Sequence, residues 1–265
     1  MAAAAAAAAA AHGRSHNLTL VMALMICVQV LLVIMCCSSM CLVKADPDPL
    51  TDFAPGVTTF TFKDLNQNGI INVGPGGRRA ALNITIFPAL ISQGITVVRF
   101  ELLPCGTNPP HTHPRASELL FLVSGGPLLA GFVDTSGVAH LDIIHAGDVT
   151  IFPRALLHFE TNLGTETAVF VSGLNSQNPG TLNAGFSEFQ IPDIAIASAL
   201  YTNIPTLDKI RANISEHEAG NLEALQKSPL AHCVPGQNIS DFDDVLRTMG
   251  IGNRKHLLQS LLKSA

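Results

Sequence analysis

The chain has 265 residues, a formal charge of −5 and a sequence pI near 6.0, with 13% charged and 5% aromatic side chains. Nothing in that balance forms a basic stripe, so a nucleic-acid partner has no support. The positive mean hydropathy of +0.35 is loaded into the N-terminal part and is not the mark of a membrane protein by itself.

Residues 1–45 read as a signal peptide. A nearly pure alanine run from Met1 to Ala11 is followed by Arg14 and His16, then by an apolar stretch from Leu18 to about Val43. Small or short residues at Val43 and Ala45 suit cleavage before Asp46. The apolar run is also long enough to cross a bilayer, so an uncleaved anchor is the rival reading. Cleavage leaves 220 residues with no membrane segment, enough for one sizeable core. Three sequons survive it, at Asn83, Asn213 and Asn238, and these are the candidate glycosylation sites of a secreted chain.

Residues 46–80 are punctuated by Pro, Asn and Gly and read as an irregular segment. Residues 81–185 carry short runs rich in Val, Ile, Leu, Phe and Thr: Leu82–Phe87, Ile95–Leu103, Leu119–Val123, Leu128–Asp134, Ala139–His145, Val149–Phe152 and Ala168–Gly173. Turn signals separate them at Ser124-Gly125-Gly126, Asp134–Gly137, Ala146-Gly147-Asp148 and Asn162–Thr165. Short strands at that spacing predict an all-β sandwich or barrel. Residues 186–265 change texture to a C-terminal helical extension. Helices are expected over Pro192–Leu200, Thr206 to about Ile214 and Ile239–Ser264, with Ser240–Asp243 as a helix start.

The strand region also holds the chemistry. His111 and His113 stand two apart, so an extended strand projects both from one face. Glu118 would fall on the opposite face of a straight strand, and a bend near Pro114 has to turn it back. His158 arrives from a distant strand, after Gly147–Pro153. Three imidazoles and a carboxylate suit Mn, Fe, Co or Zn, and the lack of a cysteine ligand removes the usual structural zinc site. Four protein ligands on an octahedral ion leave two positions open, as catalysis requires.

Four of the six cysteines fall in the leader, leaving Cys105 and Cys233, too few for a disulfide scaffold. A bond between them and two independent thiols are both open; beside the ligands, Cys105 reads as a buried inert thiol.

Cys105–Glu118 ending at Gly125, Gly147–Pro153 with His158 and Asn162, Asn175–Gly180 and the start Asp46–Leu50 together resemble the two cupin motifs of the plant germins. The resemblance spans roughly residues 46–200. It implies a single cupin (jelly-roll) β-barrel, secretion to the apoplast and cell wall, glycosylation, and assembly into dimers and hexamers around one manganese ion per subunit. On this chain the implied ligands are His111, His113, Glu118 and His158, with Asn108 and Asn162 as candidates for tuning the metal. Superoxide dismutation is the implied activity ranked first, with a role in plant defence by analogy. Oxalate oxidation ranks lower, because Val98 stands where a second asparagine is expected. A non-enzymatic apoplastic binding or receptor protein is the competing class. Three departures stand out. Cys105 and Ala155 each occupy a glycine position, the second adding about a kcal/mol of strain if φ is positive there. The usual N-terminal cysteine pair is absent.

Overall fold

A computed structural model describes residues 51–215, 222–224 and 233–236, together with Met25 and Gln29 in a helical conformation. The predicted signal peptide, the Asn238 sequon and the expected Ile239–Ser264 helix with its Ser240–Asp243 start lie outside the described residues. The chain divides into two units at Lys44–Ala45, and every strand belongs to the second. No helix among the described residues is long and apolar enough to cross a membrane.

The strands are β1 (Ile70–Gly74), β2 (Gly77–Ala81), β3 (Thr96–Leu102), β4 (Gly106–Thr112), β5 (Glu118–Val133), β6 (Ala139–Ile144), β7 (Val149–Phe152), β8 (Leu157–Leu174), β9 (Leu182–Asn183) and β10 (Glu223–Ala224). All pairings are antiparallel. The long strand β8 is the spine. Its second half lies between β3 and the start of β5, and its first half between β4 and the end of β5. The sheet curls on itself as a jelly-roll barrel, the predicted fold class.

Alternation explains the curl. Along Glu118–Val123 the burial alternates inside and outside residue by residue, placing Glu118, Leu120 and Leu122 within. Phe100 and Phe170 face each other across β3 and β8 and stack with centroids 4.6 Å apart. Each buried ring of this kind contributes roughly 1.5–3 kcal/mol of transfer free energy. Outside, Leu119, Phe121 and Val123 on β5 lie beside Val149 and Ile151 on β7, all between 44% and 56% exposed.

Several expectations need correcting. Leu82–Phe87 is not a strand: Asn83 Oδ1 accepts from the Thr85 and Ile86 amides and folds the segment into a turn. Local side-chain capture of this type competes with sheet pairing. The segment 46–80 is not wholly irregular, since β1 and β2 form a hairpin within it. Ser124–Gly126 and Asn162–Thr165 are not chain reversals. They are irregularities inside β5 and β8, where the register shifts and the strands bend. Glycine permits this: a Cβ on Gly164 would come within 1.8 Å of the Gly126 carbonyl oxygen.

The helical texture after Pro179 resolves into Ala184–Glu188, Asp193–Ala199 and Ile204–Ser215, the last containing Asn213. Ile196 and Leu207 bury one face of the second and third, and Arg211 pairs with Asp193 between them. The tail then returns to the barrel. Leu222 is completely buried in the main core, and β10 pairs with β4 at Thr107 and Gly106. The two open cysteines are joined: Cys105 and Cys233 form a disulfide with Cα atoms 5.9 Å apart. Cys105 is therefore buried, as read, but is not a free thiol. Spacing could not decide this, because the two cysteines are 128 positions apart and the chain between them had to fold first.

Candidate metal centre

β4 ends in His111 and Thr112, the chain turns at Pro114–Arg115, and β5 opens with Glu118. The bend demanded by the sequence is thus a strand-to-strand turn. His158 enters near the start of β8, opposite His111 in the register. Ligand-capable atoms of His111, His113, Glu118 and His158 all lie within 4.8 Å of one another, and all four residues are buried.

The imidazoles are oriented from behind. His111 Nδ1 lies 2.8 Å from the Pro109 carbonyl, His113 Nδ1 2.6 Å from that of Gly180, and His158 Nδ1 2.8 Å from that of Leu156. A carbonyl oxygen only accepts, so each Nδ1 carries the hydrogen and each ring turns its Nε2 inward, where an unprotonated Nε2 offers a lone pair. Glu118 Oε2 sits 3.0 Å from His113 Nε2 and 3.4 Å from His158 Nε2, which has no hydrogen-bond partner. Nitrogens and a carboxylate gathered this closely need positive charge between them, either a proton on an imidazole or a bound cation. That donor set fits a divalent metal.

Electrostatics agree. Burial, then the neighbouring His158 and His113, lower the His111 pKa to about 3, so its ring stays neutral and ligand-ready. Burial alone would raise the Glu118 pKa, but positive charge from His113 and His158 when protonated outweighs it and lowers the pKa overall; a cation held by the unprotonated rings would do the same. The ring of Phe152 stacks on His158 at 4.6 Å, covering that side of the cluster.

The Asn175–Gly180 stretch acts through His113. Arg115 Nε donates to the Asn178 carbonyl at 2.6 Å, and Asn175 Oδ1 accepts from the Ser117 amide at 2.7 Å. Together they set the Gly180 carbonyl against His113. Gly180 has φ +69, and a Cβ there would meet the Arg115 guanidinium at 2.9 Å. Ala155 does adopt positive φ, at 63, and its amide donates to the His113 carbonyl at 3.1 Å. Alanine therefore carries the strain expected at this glycine position.

The two asparagines part company. Asn108 Nδ2 donates to Glu160 Oε2 at 2.8 Å and so belongs to the cluster's surroundings. Asn162 spends its amide on the Leu102 and Glu166 carbonyls and the Gly164 amide, none of them in the cluster; its role is to pin the bend in β8. Glu160 was not singled out by sequence reasoning. It is fully buried, and burial together with the Glu118 charge raises its pKa well above the usual carboxyl range, against a lowering hydrogen bond from Asn108. Its i+2 relation to His158 was the available signal, since both project inward from one strand. Asn83 is half-buried in its turn.

Residues 63–204 match the Cupin family. Germin-like protein 5-1 of Oryza sativa subsp. japonica is 36% identical over 160 residues, covering 59% of this chain and 72% of that protein. The chain belongs to the germin-like cupins. Nectarin-1 of Nicotiana plumbaginifolia is 35% identical to this germin-like chain over 170 residues, 61% of the chain and 74% of the relative. Among solved structures, a recombinant oxalate oxidase in complex with glycolate superposes with a TM-score of 0.57 at 26% identity. That match covers 64% of the germin-like chain and 98% of the oxalate oxidase.

Proposed function

We propose that this germin-like protein is secreted to the apoplast and cell wall. There it binds one manganese ion through His111, His113, Glu118 and His158 and supports superoxide dismutase-type turnover. The observation that carries the reading is the convergence of three imidazoles, each held at Nδ1 by a backbone carbonyl, with one buried carboxyl. Iron or zinc fits the same donors; the preference for manganese follows the germin resemblance. Bound there, manganese supplies one-electron chemistry between its +2 and +3 states.

The chain's own groups have definable tasks. The Pro109, Gly180 and Leu156 carbonyls fix the imidazole tautomers, and Phe152 screens His158 from water. Glu160, kept neutral by burial, holds a proton near the cluster, and Asn108 fixes its Oε2. The exposed apolar face on β5 and β7 supports assembly into a homo-oligomer, the hexamer being the germin expectation. A defence role follows only from that kinship.

Oxalate oxidation is the second reading, favoured by the likeness to an oxalate oxidase. It is weakened by Val98, which packs against the apolar core and offers no donor. The test is metal analysis with superoxide and oxalate assays on one purified, glycosylated preparation. We expect manganese, superoxide turnover, and loss of that turnover in His158→Ala while the assembly persists. A metal-loaded assembly inert toward both substrates would favour a non-enzymatic binding protein. Native material without metal would end the proposal.

A further inference from the structure

Three arginines sit on β2 and β3, and two of them are engaged outside the barrel. Arg78 Nη2 donates to the Asn66 carbonyl at 2.5 Å, while Arg99 donates to Asn66 Oδ1 at 3.1 Å and pairs with Glu101. Arg79 is different. It lies opposite Phe100, which is 4% exposed and stacked on Phe170. Alternation along the two strands therefore sends Arg79, Ala81, Val98 and Phe100 to the inward face. Among the described residues no hydrogen bond or ion pair engages its guanidinium, whose five N–H donors are fixed in a planar fork. Burial lowers its pKa, and the Glu118 charge offsets part of that effect, so the two groups feel each other through the barrel interior.

Val98 and Ser172 face each other across β3 and β8, and Ser172 lies opposite Leu120 on β5. Ser172 therefore shares the inward face between Arg79 and Glu118. Its Oγ is wholly buried and has no partner. Arg79 is half-buried and its guanidinium has no protein partner among the described residues, while the Ser172 hydroxyl is a buried orphan; together they leave polar groups that a ligand can satisfy. Charge selects the ligand's sign. A divalent ion and Arg79 leave an excess of positive charge even if both Glu118 and Glu160 are ionised, and an anion compensates it.

We propose that Arg79, with Ser172, forms a receptor for a small oxygen-bearing anion on the inward face that Glu118 of the His111–His113–Glu118–His158 cluster shares, and that Arg79 selects it. The proposal deepens the metal reading above and rests on it. Superoxide and a small carboxylate share the required chemistry. Both carry negative charge on oxygen, and a carboxylate can in addition be gripped by two parallel N–H donors.

The experiment compares wild type with Arg79→Met, which keeps the volume, and Arg79→Lys, which keeps the charge and is the control should the methionine variant misfold. Metal content is measured first. Glycolate binding is then followed by calorimetry on manganese-loaded and zinc-loaded protein, and superoxide kcat/KM is followed against ionic strength. Loss of glycolate affinity in Arg79→Met on the order of 10- to 100-fold, with an intermediate loss in Arg79→Lys, supports a carboxylate receptor. A superoxide kcat/KM that falls with salt in wild type but stays flat in Arg79→Met supports a superoxide receptor. Unchanged values in both arms, with metal retained, overturn the proposal. Wild type that holds no metal overturns the metal reading instead, a result distinguishable from loss of anion binding in a loaded protein.

Discussion

Cys105→Ser opens the Cys105–Cys233 disulfide and tests how far the tail is part of the barrel. The bond spans 128 residues, so the loop-entropy relation puts its constraint on the unfolded chain at about 5 kcal/mol. For a domain of this size that corresponds to a fall in Tm of about 10–20 °C. Backbone geometry separates the residue's two roles. Cys105 has φ +58, where glycine relieves roughly 1 kcal/mol of strain, so Cys105→Gly should lose less than Cys105→Ser by about that amount. The loss should also be felt locally. Cys105 precedes β4, which carries Asn108 and His111, and Leu222 with β10 covers its neighbourhood. The assay is denaturant unfolding of wild type, both variants and Cys233→Ser, with hydrogen exchange at the Gly106 and Thr107 amides. Equal midpoints for wild type and Cys105→Ser would refute the reasoning, as would two titratable thiols at Cys105 and Cys233 in the native protein.

Other outcomes rest on the same geometry. Ala155→Gly should stabilise the protein by up to about 1 kcal/mol by relieving positive φ, read as a raised denaturation midpoint; a lowered midpoint would remove the strain argument. Gly180→Ala drives a Cβ into the Arg115 guanidinium, so the Gly180 carbonyl should leave His113 and metal affinity should fall about 10-fold or more in a competitive metal titration. In the metal-free protein the folded state holds the His111 pKa near 3, against about 6.5 in the unfolded chain. That stability is present above pH 6.5 and drains as pH falls toward 3; Glu118, also lowered, acts in the same direction below about pH 4.5. Urea midpoints flat across that window would contradict it. Glu160 has the opposite sign: its raised pKa gives stability at low pH that is lost as pH rises past about 4.5. Glu160→Gln should lack that decline and equal or exceed wild type at pH 8, checked by unfolding at pH 5 and pH 8.

The ligand set was legible because its spacing is local on each strand. His111 and His113 are a two-residue repeat, and the proline turn that brings Glu118 back follows from residues next to it. Most strand runs were legible for the same reason, since alternation of apolar and polar side chains is written along the chain. The misreadings occurred where a short-range signal competed with a distant partner. Ser124–Gly126 and Asn162–Thr165 have the composition of turns, yet each lies against the other's strand and becomes a bend in a continuous ladder. The β1–β2 hairpin hid among Pro, Asn and Gly because its pairing with β3 supplies what its own pattern lacks.

By itself the sequence determined an all-β sandwich or barrel and the four candidate donors, which depend on residue types and on spacings of a few positions; the single barrel and the strain at Ala155 were implied by the germin resemblance. Tertiary structure alone decided that Cys105 meets Cys233, that Leu222 enters the core, that Asn162 serves the backbone, and that Arg79 faces inward. Each of these depends on which segments become neighbours after the sheet closes. Chain separation carries no information about such encounters; burial and strand register do.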